Sequence, residues 1–304
     1  MSATVSSTIV VGVDGSPESA VASEWAATEA DRRHAELVVL TACAPYPAGL
    51  PGVPDAGEYL VRSERAGVEM VSAATHRLQA RHPGVLVTGR FLARDPRTAL
   101  VAASESAVLT VVGTRGTGRL HAVLVGSVAL HLASQARSPV AVIPHRAVPA
   151  TGPVLVGVDP RGGNQPAIDL AFDEAARRDA ELVAVLAGDR VVGHQGFARR
   201  PVQPLPVEIE SEQAVLAEQL CGWREKYPEV RVTPMLMNGR VADCLARFAD
   251  LTGHPQPQLT VVGNRGHGSM AGLILGSTSH DIIAAGTGPV LVVPASARRF
   301  AEAR

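Results

Sequence analysis

Apolar positions along this chain follow two alternating rhythms. Thr8 to Val13 is a β-branched, nearly unbroken apolar run, the pattern of a strand buried on both faces. Behind a Ser16-Pro17 start, Ala22, Trp25, Ala26 and Ala30 fall at helical spacing, which predicts a helix over Glu18 to Arg33. Leu37 to Ala42 reads as a second strand, Pro45 to Pro54 as a Pro/Gly-rich loop, and Glu58 to Arg81 as a helix ended by His82-Pro83-Gly84. A strand over Val85 to Leu92, a helix over Pro96 to Glu105 and a strand over Val108 to Val112 follow. A helix from Gly126 to about Gln135 and a strand over Val140 to Ile143 complete the series.

The series then repeats. Val10-Val11-Gly12-Val13-Asp14 returns as Leu155-Val156-Gly157-Val158-Asp159, and Arg32 to Val38 returns as Arg177 to Val183. Thr110-Val111-Val112-Gly113 returns as Thr260-Val261-Val262-Gly263, and Ser138 to Pro144 returns as Gly288 to Pro294. The order is the same in both halves, so the chain reads as two tandem domains, 1–147 and 148–304, joined around His145 to Pro153. Extra length in the second copy falls in the Pro-rich stretch Gly253 to Gln258. Strands alternating with helices predict the α/β class, each domain a parallel sheet with helices on both faces.

Composition narrows the function. Of 304 residues, 46% are hydrophobic but only 3% aromatic, so the cores must be aliphatic. The formal net charge is −1, and no basic tail or basic amphipathic helix points to nucleic acid or a membrane surface. Lys226 is the only lysine; no Gly-Lys-Ser/Thr occurs, which excludes a Walker-type P-loop. The three cysteines, Cys43, Cys221 and Cys244, are far apart and suit a reducing compartment. With no signal-like start and no long apolar run, a cytoplasmic location is expected.

The candidate chemistry lies at two strand-to-helix turns. Gly113-Thr114-Arg115-Gly116, nine residues, then Gly126-Ser127 recurs as Gly263-Asn264-Arg265-Gly266, nine residues, then Gly276-Ser277. Glycines at such a turn let backbone N–H groups approach a phosphate, and the following helix start adds partial positive charge. Asp14 and Asp159 end the first strand of each copy. Ligands of open α/β sheets sit beyond the carboxyl ends of strands at the switch in strand order. A fold with strand 1 beside strand 4 would bring each Asp to its glycine turn. The ten histidines form no H-x-x-x-H or H-E-x-x-H set, and Gly113 to Gly118 is not the dinucleotide fingerprint. No catalytic constellation is visible, which favours a binding module over an enzyme.

A strand ending in Asp, followed by G-x-x-G, nine residues and G-S before the last helix, resembles the universal stress protein family. The resemblance covers nearly the whole chain, as two domains. It implies a five-stranded sheet in the order 3-2-1-4-5 and binding of ATP, with ADP or AMP as alternatives, often with Mg2+ or Mn2+, in stress adaptation. By position, it implies that Val13 and Asp14 (Val158 and Asp159) meet the adenosine moiety, each Asp also lying near the phosphates or metal. Ala42 (Ala187) would line the base pocket. Val112, Gly113, Arg115 and Gly116 (Val262, Gly263, Arg265 and Gly266) would hold ribose and phosphates, and Gly126 and Ser127 (Gly276 and Ser277) phosphates. Ser279 would be an added hydroxyl donor in the second copy, where the first has Ala129. Gly239 opens the third helix of the second copy, where the first has Arg94. On these two differences the C-terminal site is expected to be tighter. The resemblance further implies that the edge strands Val140 to Ile143 and Val290 to Val293 pair, a pseudo-dimer within one chain, and leaves a homodimer of whole chains open. Protein partners are unspecified. A slow ATP hydrolase or nucleotidyl transferase, or an interaction scaffold with structural nucleotide, are the rival readings.

Overall fold

The computed structural model describes residues 7–44, 56–116, 125–146, 148–188, 203–204, 210–264 and 275–296. It divides into two compact units, Met1–His145 and Arg146–Arg304.

Unit 1 contains β1 (Thr8–Gly12), α1 (Pro17–Arg33), β2 (Glu36–Ala42), α2 (Ala56–Arg81) and β3 (Val87–Leu92). It continues with α3 (Pro96–Ala103), β4 (Leu109–Gly113), α4 (Ser127–Gln135) and β5 (Val140–Ile143). The strands lie in the order β3-β2-β1-β4-β5, all parallel. Right-handed crossovers then put α1 and α2 on one face and α3 and α4 on the other. The contacts of α1 with α2, and of α3 with α4, agree. Ile9, Val11, Leu37, Val39, Val111 and all four residues of β5 are fully or almost fully buried. Each such side chain contributes roughly 1.5–3 kcal/mol relative to exposure. The edge strand β3 is mostly exposed, so the aliphatic core sits under the central strands.

Unit 2 contains β6 (Val154–Gly157), α5 (Gln165–Arg177), β7 (Leu182–Gly188), β8 (Gln203–Pro204) and α6 (Glu210–Lys226). It continues with β9 (Val232–Asn238), α7 (Val241–Ala246), α8 (Phe248–Thr252), β10 (Leu259–Gly263), α9 (Ser277–Ala285) and β11 (Val290–Val293). Its parallel strands run β9-β7-β6-β10-β11, the same order as in unit 1. The expected five strands need one correction. The two-residue β8 pairs antiparallel with β9 and makes a sixth. Its composition gave no strand signal, because two residues carry no periodicity. The expected third helix is likewise two short ones, broken at Arg247.

The repeat extends to backbone detail. His34 and Asp179, at matching places after α1 and α5, both take positive φ (49° and 48°). Near the end of each helix a buried glutamate faces arginine. Glu29 meets Arg32 at 2.7 Å and Arg33 at 3.6 Å; Glu174 meets Arg178. Counted from Asp14 and Asp159, the residues of α1 from Ala20 to Arg32 therefore have defined counterparts in α5. Pro83 and Pro228 align the ends of α2 and α6 in the same way.

Candidate functional site

In unit 1 the ladder between β1 and β2 runs one residue past β1, where the Val13 N–H donates to the Leu40 carbonyl at 2.9 Å. The chain then turns at Gly15 (φ 81°). Ser16 caps α1, its hydroxyl accepting from the Ser19 N–H at 3.1 Å, with Pro17 at the first helical position. The Ser16 hydroxyl and N–H both donate to Asp14 Oδ1, at 2.6 and 3.0 Å. These bonds aim the other oxygen of Asp14 across the sheet edge. A Cβ placed on Gly116 would sit 2.4 Å from Asp14 Oδ2. The pairing of β1 with β4 thus brings the strand-end aspartate to the glycine turn.

The three glycines of this turn have different reasons. A Cβ on Gly113 would lie 2.9 Å from the Glu18 backbone carbon, because the first turn of α1 passes over the end of β4. Gly116 is held small by Asp14. Among the described residues, Gly126 is required by neither neighbours nor backbone. Its φ and ψ of −70° and 145° suit any residue. A Cβ there would make ordinary contacts at 3.4–3.7 Å with Thr114, Arg115 and the Gly116 nitrogen. Gly126 is the cap of α4, and its own N–H is used by the Thr114 carbonyl at 2.7 Å. Gly126 has no side chain to cap the helix, so the first-turn N–H groups behind it have no intrahelical acceptor and none from the cap residue. Ser127, exposed, is the first helical residue rather than the cap.

Unit 2 repeats the turn with other residues. Gly276 caps α9 and donates to the Asn264 carbonyl at 3.0 Å, and Asn264 donates to Val293 as Thr114 does to Ile143. Asn164 holds the Asp159 N–H at 3.1 Å, as Ser19 holds that of Asp14 at 3.5 Å; both stand five residues on. Asp159 Oδ1 accepts from the Arg161 N–H at 3.0 Å. Ser277, like Ser127, is exposed at the first helical position. Arg265 and Gly266 lie outside the described residues.

Burial narrows how several of the expected residues could act. Val13, Val112, Val158 and Val262 are 3–7% exposed, so their side chains belong to the core and only their backbones can meet a ligand. Ala42 and Ala187 are partly exposed near the strand ends, where a base could lie against them. Ser279 is packed inward. It is 2% exposed, and its hydroxyl donates to the Gly263 carbonyl at 2.6 Å, tying α9 to β10. A hydroxyl has one proton to give. Gly239 has φ 124°, a conformation that arginine rarely adopts, so its contrast with Arg94 is one of turn shape.

Residues beside the turns went unnoticed in the sequence. Glu18 stands against Gly113 and pairs with Arg115 at 3.8 Å. Its counterpart is Gly163, and that of Ser16 is Arg161. Ser19 and Asn164 orient the Asp-bearing loops; their common step after the aspartate was the available signal. Among the described residues, no group of three or more His, Cys, Asp or Glu is placed to hold a metal ion. Nor is any helix among them long and apolar enough to cross a membrane.

The sequence pattern of the universal stress protein family matches residues 6–144 and again 151–294. A universal stress protein of Mycobacterium tuberculosis is 35% identical over 301 residues, covering 93% of this chain and 95% of its own. One of Mycolicibacterium smegmatis is 34% identical over 295 residues, covering 94% and 96%. The crystal structure of a universal stress protein from Archaeoglobus fulgidus superposes with a TM-score of 0.71 at 20% identity, covering 96% of this chain and 99% of that one. That likeness concerns the fold.

Proposed function

The chain belongs to the universal stress protein family, and from that premise we propose that each unit binds an adenine nucleotide, ATP first, as a regulator in stress adaptation. The observation that carries this reading is Gly126: a glycine that its described neighbours do not require, at a helix start with no side-chain cap. Absence of a side chain there leaves room for a phosphate to approach those donors, with the helix dipole behind them. The backbone of Val13 and Val158, with Ala42 and Ala187, would hold the base side. Gly113, Gly116 and Gly263 would keep the ribose and phosphate side open.

A Mg2+ or Mn2+ ion carried in by the nucleotide fits Asp14, whose carboxylate is oriented by Ser16 and faces the turn. Bound there, such an ion would neutralise phosphate charge. Asp159 occupies the matching place. We read both units as binding modules, with hydrolysis not part of their task.

The C-terminal site takes a triphosphate more tightly in this proposal, on grounds of charge rather than of Ser279. Glu18 engages Arg115 in unit 1. In unit 2 that acid is replaced by Gly163, and Arg161 adds a cation to the loop. Released nucleotide tests the proposal directly. Denaturing the purified protein and identifying what it frees should yield adenine nucleotide, up to two per chain after incubation with ATP. If none is retained or taken up, the reading fails. Steady production of ADP, lost when Asp14 and Asp159 are both replaced, would move it toward the hydrolase.

A further inference from the structure

We propose that unit 1 carries a second binding site, a pocket between α1 and α2 that takes a ring-sized organic acid. Its volume is about 160 Å3. An engineered cavity of about 150 Å3 in an unrelated protein takes up benzene, so the space here suits one six-membered ring and a small substituent. Ser16, Ser19 and Ser23 line the α1 side, and Met70, Ala74 and Arg77 the α2 side.

The pocket exists because of a difference between the repeats. Ala20 and Ala74 stand where unit 2 has Gln165 and Gln219, and Ser23 where unit 2 has the fully buried Ile168. In unit 2 those two glutamines hydrogen-bond to each other across α5 and α6. The Trp223 Nε1–H adds a bond to Gln165 at 3.1 Å. The same fold therefore can fill this space, and unit 1 leaves it open.

The walls define the ligand. The serine protons are already given: Ser16 to Asp14, Ser19 to the Ser16 carbonyl, and Ser23 to the Ser19 carbonyl. Met70 and Ala74 offer apolar surface. Arg77 is the cation among the described lining residues. Its Nε lies 3.8 Å from Glu24 Oε1, the loosest of three contacts that Glu24 makes; Arg81 and His82 hold it at 3.2 and 3.3 Å. A ligand carboxylate can meet Arg77 at closer range while its ring lies against Met70 and Ala74.

The pocket lies on the α1 and α2 side, away from the glycine turn but sharing Val13 and Gly15 with the strand end that carries Asp14; its standing does not depend on nucleotide binding. Glu18 faces Gly113 and Arg115, whereas Ser19 and Ser23 face the pocket. The two are nevertheless adjacent. The Met70 sulfur lies 3.9 Å from the Thr41 hydroxyl, whose proton goes to the Val13 carbonyl at 2.9 Å. A Cβ on Gly15, the residue after Asp14, would lie 3.1 Å from the Met70 methyl. A ligand that displaces Met70 presses on the turn that carries Asp14.

The test uses the full chain with 13C-methyl-labelled methionine and benzoate as the probe, with benzyl alcohol as its neutral analogue. Benzoate should shift the Met70 methyl saturably, by ring current, and leave those of Met235 and Met237 in unit 2 unmoved; Met70→Leu assigns the signal. Ala74→Gln, the residue of unit 2, should weaken binding by about tenfold or more, as lost space does. Arg77→Gln should weaken benzoate by about threefold or more and leave benzyl alcohol within about twofold. If Ala74→Gln does not fold, Ser23→Ile fills the pocket from the α1 side. No saturable Met70 shift up to about 10 mM benzoate, or undiminished binding in the filled variants, overturns the proposal. So does competitive displacement of benzoate by ATP, which would assign the pocket to the nucleotide.

Discussion

The two units share their sheet order and the bonding at the described ends of the glycine turn, yet differ in the residues that surround it. In each, the helix-cap N–H donates to the carbonyl of the first residue after the strand, Thr114 in one and Asn264 in the other. Each aspartate N–H is held by a side chain five residues on, Ser19 or Asn164. Around this constant frame, unit 1 has Glu18, an open pocket and small residues between α1 and α2. Unit 2 has Gly163, Arg161 and a filled helix interface of Gln165, Gln219, Phe172, Trp223 and Tyr227. What stays constant is what a phosphate would touch; what varies is what would tune or sense it.

The largest expected effect tests whether both helix layers rest on the same buried pair. Glu174→Ala removes the carboxylate that faces Arg178, both side chains being 1–2% exposed, and should cost unit 2 about 3–5 kcal/mol. One tryptophan sits in each unit, Trp25 and Trp223. Urea unfolding of the variant in a Trp25→Phe background therefore reads unit 2 alone, and a loss below about 1 kcal/mol would break the comparison.

Gly126→Ala separates ligand from fold. The added methyl fits the protein at 3.4 Å or more, so unfolding should move by less than about 0.5 kcal/mol. ATP affinity of unit 1 should fall about tenfold, because the methyl occupies the approach to the helix start. Calorimetric titration beside urea unfolding reads both. Lost stability with intact affinity would make Gly126 a structural residue.

Ser279→Ala distinguishes a tie from a donor. Losing the bond to the Gly263 carbonyl should cost about 1 kcal/mol of stability, with ATP affinity within about twofold. The converse result, lower affinity with unchanged stability, would restore Ser279 as a phosphate ligand.

The smallest effect concerns a cap present only in unit 1. Asp95 accepts from the N–H groups of Arg97 and Thr98, both at 3.1 Å, whereas Arg240, before α7, makes no side-chain cap. The bond from the Thr98 N–H, against an opposing effect of burial and helped by Arg97, holds the Asp95 carboxyl below the ordinary aspartate range. A depressed pKa stabilises the fold above the unfolded value and is lost as pH falls through the folded one. Asp95→Ala should therefore cost up to about 1 kcal/mol at pH 7, and less in acid, where wild type and variant converge. A difference that persists below the folded pKa would contradict the cap.

Much of this was legible from the amino acids. Aliphatic strands buried on both faces, and helices opened by Ser16-Pro17, leave periodic traces, so the elements of unit 1 lie within a few residues of their expected limits. The repeat placed both aspartates and both glycine turns. What the sequence hid was the use of each group. Ser279 reads as a free hydroxyl until α9 is packed on β10, which spends its proton on Gly263. The valines at the strand ends look like contacts for a ligand until the sheet buries them. The pocket depends on Ala20 and Ala74, far apart in sequence, facing each other across two helices.

The most direct measurement counts ATP bound per chain by equilibrium dialysis in wild type, in Gly113→Val, and in Gly113→Val with Gly263→Val. A side chain at Gly113 meets the Glu18 backbone at 2.9 Å and must displace the start of α1 over the turn. Two nucleotides, then one, then none, with all three chains folded, is the predicted series. Two bound by the folded double variant, or none bound by wild type, would contradict the account.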